Sequence, residues 1–192
     1  YSPYSYLHNY YDPSMRTPYT QLTVSTSRGC PFKCTYCQWP NVINNGQYRS
    51  RSAANVLDEI MEVKNTLGGN LGSIFFDDDT WNLGKRRIEE LCNGLKDIGL
   101  PWTMMGRIDT SKPELYTTDA YNNLNYIVTN FKNMEFHFTT MKNLPGEKPG
   151  SWQKDQEILK ELQTLGAKNN NTVHWQISDC IPFPGTELWE EL

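Results

Sequence analysis

The sequence predicts an α/β protein built from consecutive βα units, and three observations predict it. Short apolar or β-branched runs recur along the chain, amphipathic stretches of ten or more residues separate them, and Gly, Pro and Asp punctuate the junctions. Strands alternating with helices of that length imply parallel pairing, in a doubly wound sheet or a (β/α) barrel.

Residues 1–20 are rich in Tyr, Pro and Ser and show no period. They read as an irregular lead-in segment or linker, with one core over residues 21–192. QLTVST (21–26) is a β-branched run and a predicted strand. It leads into SRGCPFKCTYCQWP, which Gly29 and Pro31 keep out of regular structure. SAANVLDEIMEVKNTLGG (52–69) predicts a helix, with Ser52 as N-cap, Val56, Ile60 and Val63 on one face and Gly68 at its end.

LGSIFF (71–76) predicts a buried strand ending in Asp77, Asp78 and Asp79. GKRRIEELCNGLKDIG (84–99) predicts a second helix, with Ile88, Leu91, Leu95 and Ile98 in a stripe and Cys92 beside it as a small buried hydrophobe. PWTMMG (101–106) predicts a third strand, leading to Arg107 and Asp109. PELYTTDAYNNL is a weak helix pattern, and both NYIVTN (125–130) and MEFHFTTM (134–141) have strand composition. SWQKDQEILKELQTLG (151–166) predicts an amphipathic helix capped by Ser151, and TVHWQISD (172–179) a further strand. There are no repeats or low-complexity tracts.

Composition excludes several classes. A hydrophobic fraction of 38% with 21% charged residues is that of a folded domain. The formal net charge of −4 argues against a nucleic-acid partner, which calls for a clustered basic surface. No apolar run approaches the roughly 18–20 residues of a membrane span, and no signal peptide opens the chain, so a cytoplasmic location is expected. The chain begins at Tyr1 and stops at Leu192 within a helix start, GTELWEEL, so it is expected to be part of a longer protein.

The chemistry sits in the cysteines. Five cysteines at uneven spacing do not make a secreted disulfide framework. Cys30, Cys34 and Cys37 form C-x3-C-x2-C, and short intervals let one loop wrap one iron–sulfur cluster. Three thiolates leave one position open, as a catalytic metal site requires. The alternative is a structural zinc site with Cys92 or Cys180 as fourth ligand. Zinc sites usually pair two short intervals, and no second pair exists here; only His8, His137 and His174 could help.

TSRGCPFKCTYCQWP resembles the signature of radical S-adenosylmethionine (SAM) enzymes. YRSRSAANVLDEI (48–60), IFFDDDTW (74–81), GRID (106–109), LPGE (144–147) and PFPGTEL (182–188) follow in the same order. The resemblance covers about residues 20–192. More narrowly, it resembles the group with an N-terminal cobalamin-binding domain, including the radical SAM proteins of hopanoid biosynthesis. It implies a partial (β/α) barrel of the radical SAM type with about six mostly parallel strands, from which this sequence departs by an irregularity between residues 125 and 141. It also implies a 4Fe–4S cluster on Cys30, Cys34 and Cys37 and SAM on the fourth iron. Reductive cleavage of SAM would give a 5′-deoxyadenosyl radical, for hydrogen abstraction from a small-molecule substrate or for cobalamin-dependent methylation. An electron donor such as flavodoxin or ferredoxin follows from the same chemistry.

By resemblance, Tyr36 lies beside the adenine, although an aromatic between two ligands serves equally well as packing. Asp77, Asp78 and Asp79 fall at a strand end, where βα barrels gather their sites, and the resemblance places the SAM amino contact there. They read equally as an acidic turn, with Asp79 or Thr80 capping the next helix. Arg107 could meet the SAM carboxylate in a forked contact, or pair structurally with Asp109. His137 and His174 read as satisfied or surface residues, and the tryptophans as packing.

The sequence departs from the family after the third strand. No GxES element is present, and only a few residues separate NYIVTN from MEFHFTT. A parallel crossover needs about a dozen residues. Either these runs form an antiparallel hairpin or one of them is not a strand. Asn143 also stands where glycine is common. A degenerate iron–sulfur or zinc-binding module without turnover is therefore the alternative function.

Overall fold

The computed structural model describes residues 5–10, 19–43, 45–108 and 118–192. Its strands are β1 (Ser5–Tyr10), β2 (Tyr19–Val24), β3 (Ser27–Arg28), β4 (Arg49–Ser50), β5 (Leu71–Phe76), β6 (Trp102–Arg107), β7 (Glu135–Lys142) and β8 (Thr172–Asp179). Its helices are α1 (Ala53–Leu67), α2 (Lys85–Ile98), α3 (Thr118–Asn130), α4 (Ser151–Ala167) and the short α5 (Glu187–Glu190).

Six strands form one sheet in the order β1-β2-β5-β6-β7-β8. Only β1 and β2 are antiparallel; the other neighbours are all parallel. Each parallel step crosses over through one helix, and α1 to α4 contact each other in chain order. One face of the sheet supplies Leu22, Val24, Ile74, Phe76, Trp102, Met104, Phe136 and Phe138 to the core. The helices answer with Val56 and Ile60, Ile88 and Leu91, Leu124 and Val128, Leu159 and Leu162. The opposite, concave face carries Gln21, Ser73, Thr103, His137 and His174 along a cavity of about 540 Å³. Helices on one face and an open concavity on the other make this α/β fold a partial (β/α) barrel.

Trp102 sits at the centre of the core. Its ring lies 5.3 Å from Trp81, 5.0 Å from Phe131 and 5.4 Å from Phe136, the last two edge-on. Such pairs add to the hydrophobic gain of burying the rings.

Three local expectations change. Ser5–Tyr10 is a strand paired to Tyr19–Val24, where an irregular segment was expected. Ser151 does not cap α4, whose N-cap is Gly150; the Ser151 hydroxyl donates to Glu147 at 3.0 Å instead. NYIVTN is helical. Leu124, Ile127 and Val128 in α3 and Phe131 just after its end recur at i, i+3, i+4 and i+7, and all four are buried. α3 is therefore the crossover that β6 and β7 need, and the segment 125–141 resolves into a helix end and a parallel strand.

α3 also explains the glycine of GRID. A Cβ at Gly106 would stand 2.8 Å from the Leu124 side chain and 3.1 Å from that of Phe138. No helix among the described residues is long and apolar enough to cross a membrane.

Candidate functional site

The cysteine loop leaves the sheet at the C-terminal end of β2. Its neck is closed by the two-residue ladder of β3 and β4, Ser27 against Ser50 and Arg28 against Arg49. Arg51 N–H adds a bond to Thr26 O at 2.9 Å. Within the loop, Cys37 N–H donates to Cys34 O at 3.0 Å and turns the C-x2-C segment back on itself. The PFPGTEL segment packs from outside. Leu188 N–H donates to Thr35 O at 3.0 Å, and a Cβ at Gly185, whose φ is +80°, would press on Val42 at 3.2 Å.

Cys30, Cys34 and Cys37 line one cavity of about 160 Å³ together with Tyr36, Asp79, Thr80 and Arg107. Thr139, Thr140, Met141 and Ser178 line the side formed by the last two strands. The lining thus comes from the loop after β2, the turn after β5 and the ends of β6, β7 and β8. That is the convergence of parallel strand ends at which βα folds bind ligands. Cys92 belongs to the hydrophobic core, and Cys180 lies beyond β8; neither lines the cavity. Among the described residues, no three His, Cys, Asp or Glu side chains gather closely enough to hold a single metal ion.

Arg107 lies across the cysteine loop. It donates to Cys34 Sγ at 3.3 Å and to the Tyr36 hydroxyl at 3.2 Å, and its guanidinium stands 5.3 Å from the centre of the Phe32 ring. Its backbone is clamped by fully buried Asn82: Arg107 N–H donates to Asn82 Oδ1 at 3.1 Å, and Asn82 Nδ2 donates to Arg107 O at 3.2 Å. Cys30 Sγ and Thr80 Oγ1 are 3.6 Å apart. Burial pushes the Cys37 thiol up, as do the neighbouring Cys34 and Cys30, while the Trp39 N–H and Arg107 oppose the shift. Asp109 lies outside the described residues.

The three aspartates separate into three roles. Asp77 is exposed and away from the cavity; its N–H extends the ladder to Val24 O at 3.0 Å. Asp78 continues the inward alternation of Ile74 and Phe76 and is 2% exposed. Its carboxylate accepts from Thr26 N–H at 3.2 Å, Thr26 Oγ1 at 3.0 Å and the Ser27 hydroxyl, with Arg87 donating to the same Thr26 hydroxyl. Burial raises its pKa against the pull of those donors and of Arg87. Asp78 therefore fastens the end of β2 to the end of β5. Only Asp79 reaches the cavity. Burial raises its pKa too, partly offset by the Gly29 N–H and reinforced by Asp78 and Asp77. Neither Asp79 nor Thr80 caps the next helix, whose N-cap is Gly84.

Sequence reasoning missed Thr80, Asn82 and Phe32 at the site and Thr26 and Arg87 beneath it. Period-two alternation carried past Phe76 assigns Asp78 to the core face and Asp79 to the other, a usable signal. Nothing local marks Asn82, whose partner is 25 residues away.

No family model matches the chain. It is 34% identical over 190 residues to an uncharacterized methyltransferase of Pyrococcus horikoshii, an alignment spanning 87% of this chain and 41% of that protein. It is 27% identical to the ribosomal protein methylthiotransferase RimO of Clostridium kluyveri, over 83% of this chain and 35% of the relative. It is 24% identical to the cytidylyl-2-hydroxyethylphosphonate methyltransferase of Streptomyces wedmorensis, over 73% of this chain and 26% of the relative. The chain thus spans well under half the length of these curated relatives, and what it is similar to are enzymes that transfer methyl or methylthio groups.

Proposed function

We propose that this chain is the core of a radical SAM enzyme, with Cys30, Cys34 and Cys37 holding a 4Fe–4S cluster and the rest of the cavity receiving SAM. The observation that carries it is the meeting of all three thiols of one loop in a cavity walled by the ends of four strands. The donor set fits the group: three thiols on one loop, with N–H donors from Arg107 and Trp39 directed at two of the sulfurs.

When bound, the cluster supplies one electron for reductive cleavage of SAM. The protein's part is to position. Tyr36 would border the adenine of bound SAM and the Asp79 carboxylate would accept from its ammonium, while Arg107 holds the ligand loop to the end of β6. Asp78 keeps the strand ends in register so that Asp79 faces the cavity. Methyl or methylthio transfer is the outcome that the relatives' names support. Cobalamin held by a further domain is the methyl carrier that the sequence resemblance implies. The reading places the protein in the reducing cytoplasm, with flavodoxin or ferredoxin as electron donor and a small-molecule substrate.

Anaerobic reconstitution with iron and sulfide tests it. The expected result is a broad visible absorption of a 4Fe–4S cluster, then formation of 5′-deoxyadenosine or a methylated product on adding dithionite and SAM. Cluster binding without either product would support an iron–sulfur module without turnover.

A further inference from the structure

We propose that the neck of the cysteine loop is a binding site for a tetrahedral oxyanion, the phosphoryl or phosphonyl group of a small ligand. A second cavity, of about 260 Å³, is lined by Ser25, Ser27, Arg28, Arg49, Ser50 and Arg51 and shares no residue with the cysteine cavity.

The arrangement concentrates positive charge on a chain whose formal net charge is −4. Arg28 and Arg49 are register partners across the β3–β4 ladder, and both are exposed. Arg51 follows at the wall. Its guanidinium donates to Ser25 O at 3.1 Å and Asn55 O at 3.2 Å and is ion-paired with Glu59 at 2.7 Å, so it forms a fixed wall while the exposed Arg28 and Arg49 reach the ligand. Among the described lining residues there is no carboxylate.

The neutral donors match the same chemistry. The Ser25 and Ser50 hydroxyls can donate to a ligand oxygen, whereas Ser27 already donates to Asp78. α1 begins two residues after Arg51, and the positive end of its dipole lies on this side. Guanidinium forks pair two N–H groups with two oxygens of a tetrahedral anion, a geometry that chloride and carboxylate-free apolar ligands do not fill. The cavity is a single concavity, not a basic stripe along the surface, which favours a compact dianion over an extended polyanion.

The test is calorimetric titration of the purified chain with inorganic phosphate and with pyrophosphate, at constant ionic strength set with chloride. Saturable one-to-one binding is expected. Arg49→Gln should weaken it about tenfold, the share of one bidentate contact, and Arg49→Glu should abolish it. Arg86→Gln, on the exposed face of α2, should leave the affinity unchanged. Far-UV circular dichroism identical to the parent shows that the exposed Arg49 variants are folded. Phosphate and a phosphonate such as methylphosphonate separate the two ligand sources, and binding of either supports the site. Absence of saturable binding, equal loss in Arg86→Gln, or binding of an RNA oligonucleotide without pyrophosphate binding would overturn the proposal. None of these readouts depends on the cluster, so failure here leaves the radical SAM reading standing.

Discussion

Arg107 and Cys34 are 73 residues apart in sequence, yet the arginine guanidinium donates to the cysteine sulfur at 3.3 Å. A positive N–H donor on a ligand sulfur stabilises the more negative, reduced state of an iron–sulfur cluster. Arg107→Gln is therefore expected to move the midpoint potential of the reconstituted protein to a more negative value while keeping its visible absorption. Redox titration followed by electron paramagnetic resonance measures this. An unchanged potential would mean that Arg107 serves the loop only by packing on Phe32.

The cysteines should divide into two classes. Replacing Cys30, Cys34 or Cys37 by alanine is expected to abolish the reconstituted absorption, and Cys92→Ala or Cys180→Ala to leave it intact. Thiol labelling gives an independent measure. Burial pushes the Cys92 thiol up to about 12, and the thiolate is the reactive form. Cys92 should stay unmodified by iodoacetamide at pH 8 in the folded protein and react only on denaturation. Its folded pKa is raised, so its contribution to stability is complete below the ordinary thiol pKa and is lost as pH rises toward 12. Loss of the cluster absorption in Cys92→Ala would break the three-ligand assignment.

The aspartates allow a sharper separation. Asp78→Ala strips the acceptor from Thr26 and Ser27 and should destabilise the fold by about 1–3 kcal/mol, the usual cost of orphaning buried donors. Urea denaturation at neutral pH checks it. The pKa of Asp78 is raised by burial, so its protonated form is favoured by the fold. Its share of stability is present at low pH and declines as pH rises through the folded value. Asp79→Asn should leave stability almost unchanged and weaken SAM binding in calorimetry on reconstituted protein. Asp77→Asn should do neither. If Asp77→Asn alone affected SAM affinity, the assignment of Asp79 would be wrong.

Much of this arrangement was legible in the residues. LGSIFF and TVHWQISD form strands with the bounds that their β-branched and apolar runs suggest, and Ser52 caps α1 by accepting from Asn55 N–H at 3.2 Å. α3 was not legible by composition, because Tyr, Ile, Val and Thr are strand formers. Its period was legible: Leu124, Ile127, Val128 and Phe131 mark a helix face, and the tertiary need to bury that face outweighs intrinsic preference. At the site, the three cysteines declare themselves by spacing. The contacts of Arg107 do not, since they depend on which strands become neighbours. Asp77, Asp78 and Asp79 are chemically identical; the alternation of β5 carried past Phe76 sets Asp78 apart, and only the turn after β5 separates Asp79, at the cavity, from Asp77.

Asn82 offers the last test, because its side chain makes two bonds to the backbone of Arg107, one as donor and one as acceptor. It is fully buried. Alanine removes both of these part-buried bonds, at a cost of about 1–3 kcal/mol. Aspartate keeps the shape and can still accept from Arg107 N–H, but it turns the second bond into a contact between two acceptors. The two variants should therefore both destabilise the protein, and both should loosen the end of β6 from which the guanidinium reaches Cys34. If Asn82 positions Arg107, Asn82→Ala must also shift the cluster potential in the same direction as Arg107→Gln, and by less. The double variant should then add nothing to the shift of Arg107→Gln alone, because residues in one network are not additive. A loss of stability with an unmoved potential would limit Asn82 to a structural role in the turn after β5.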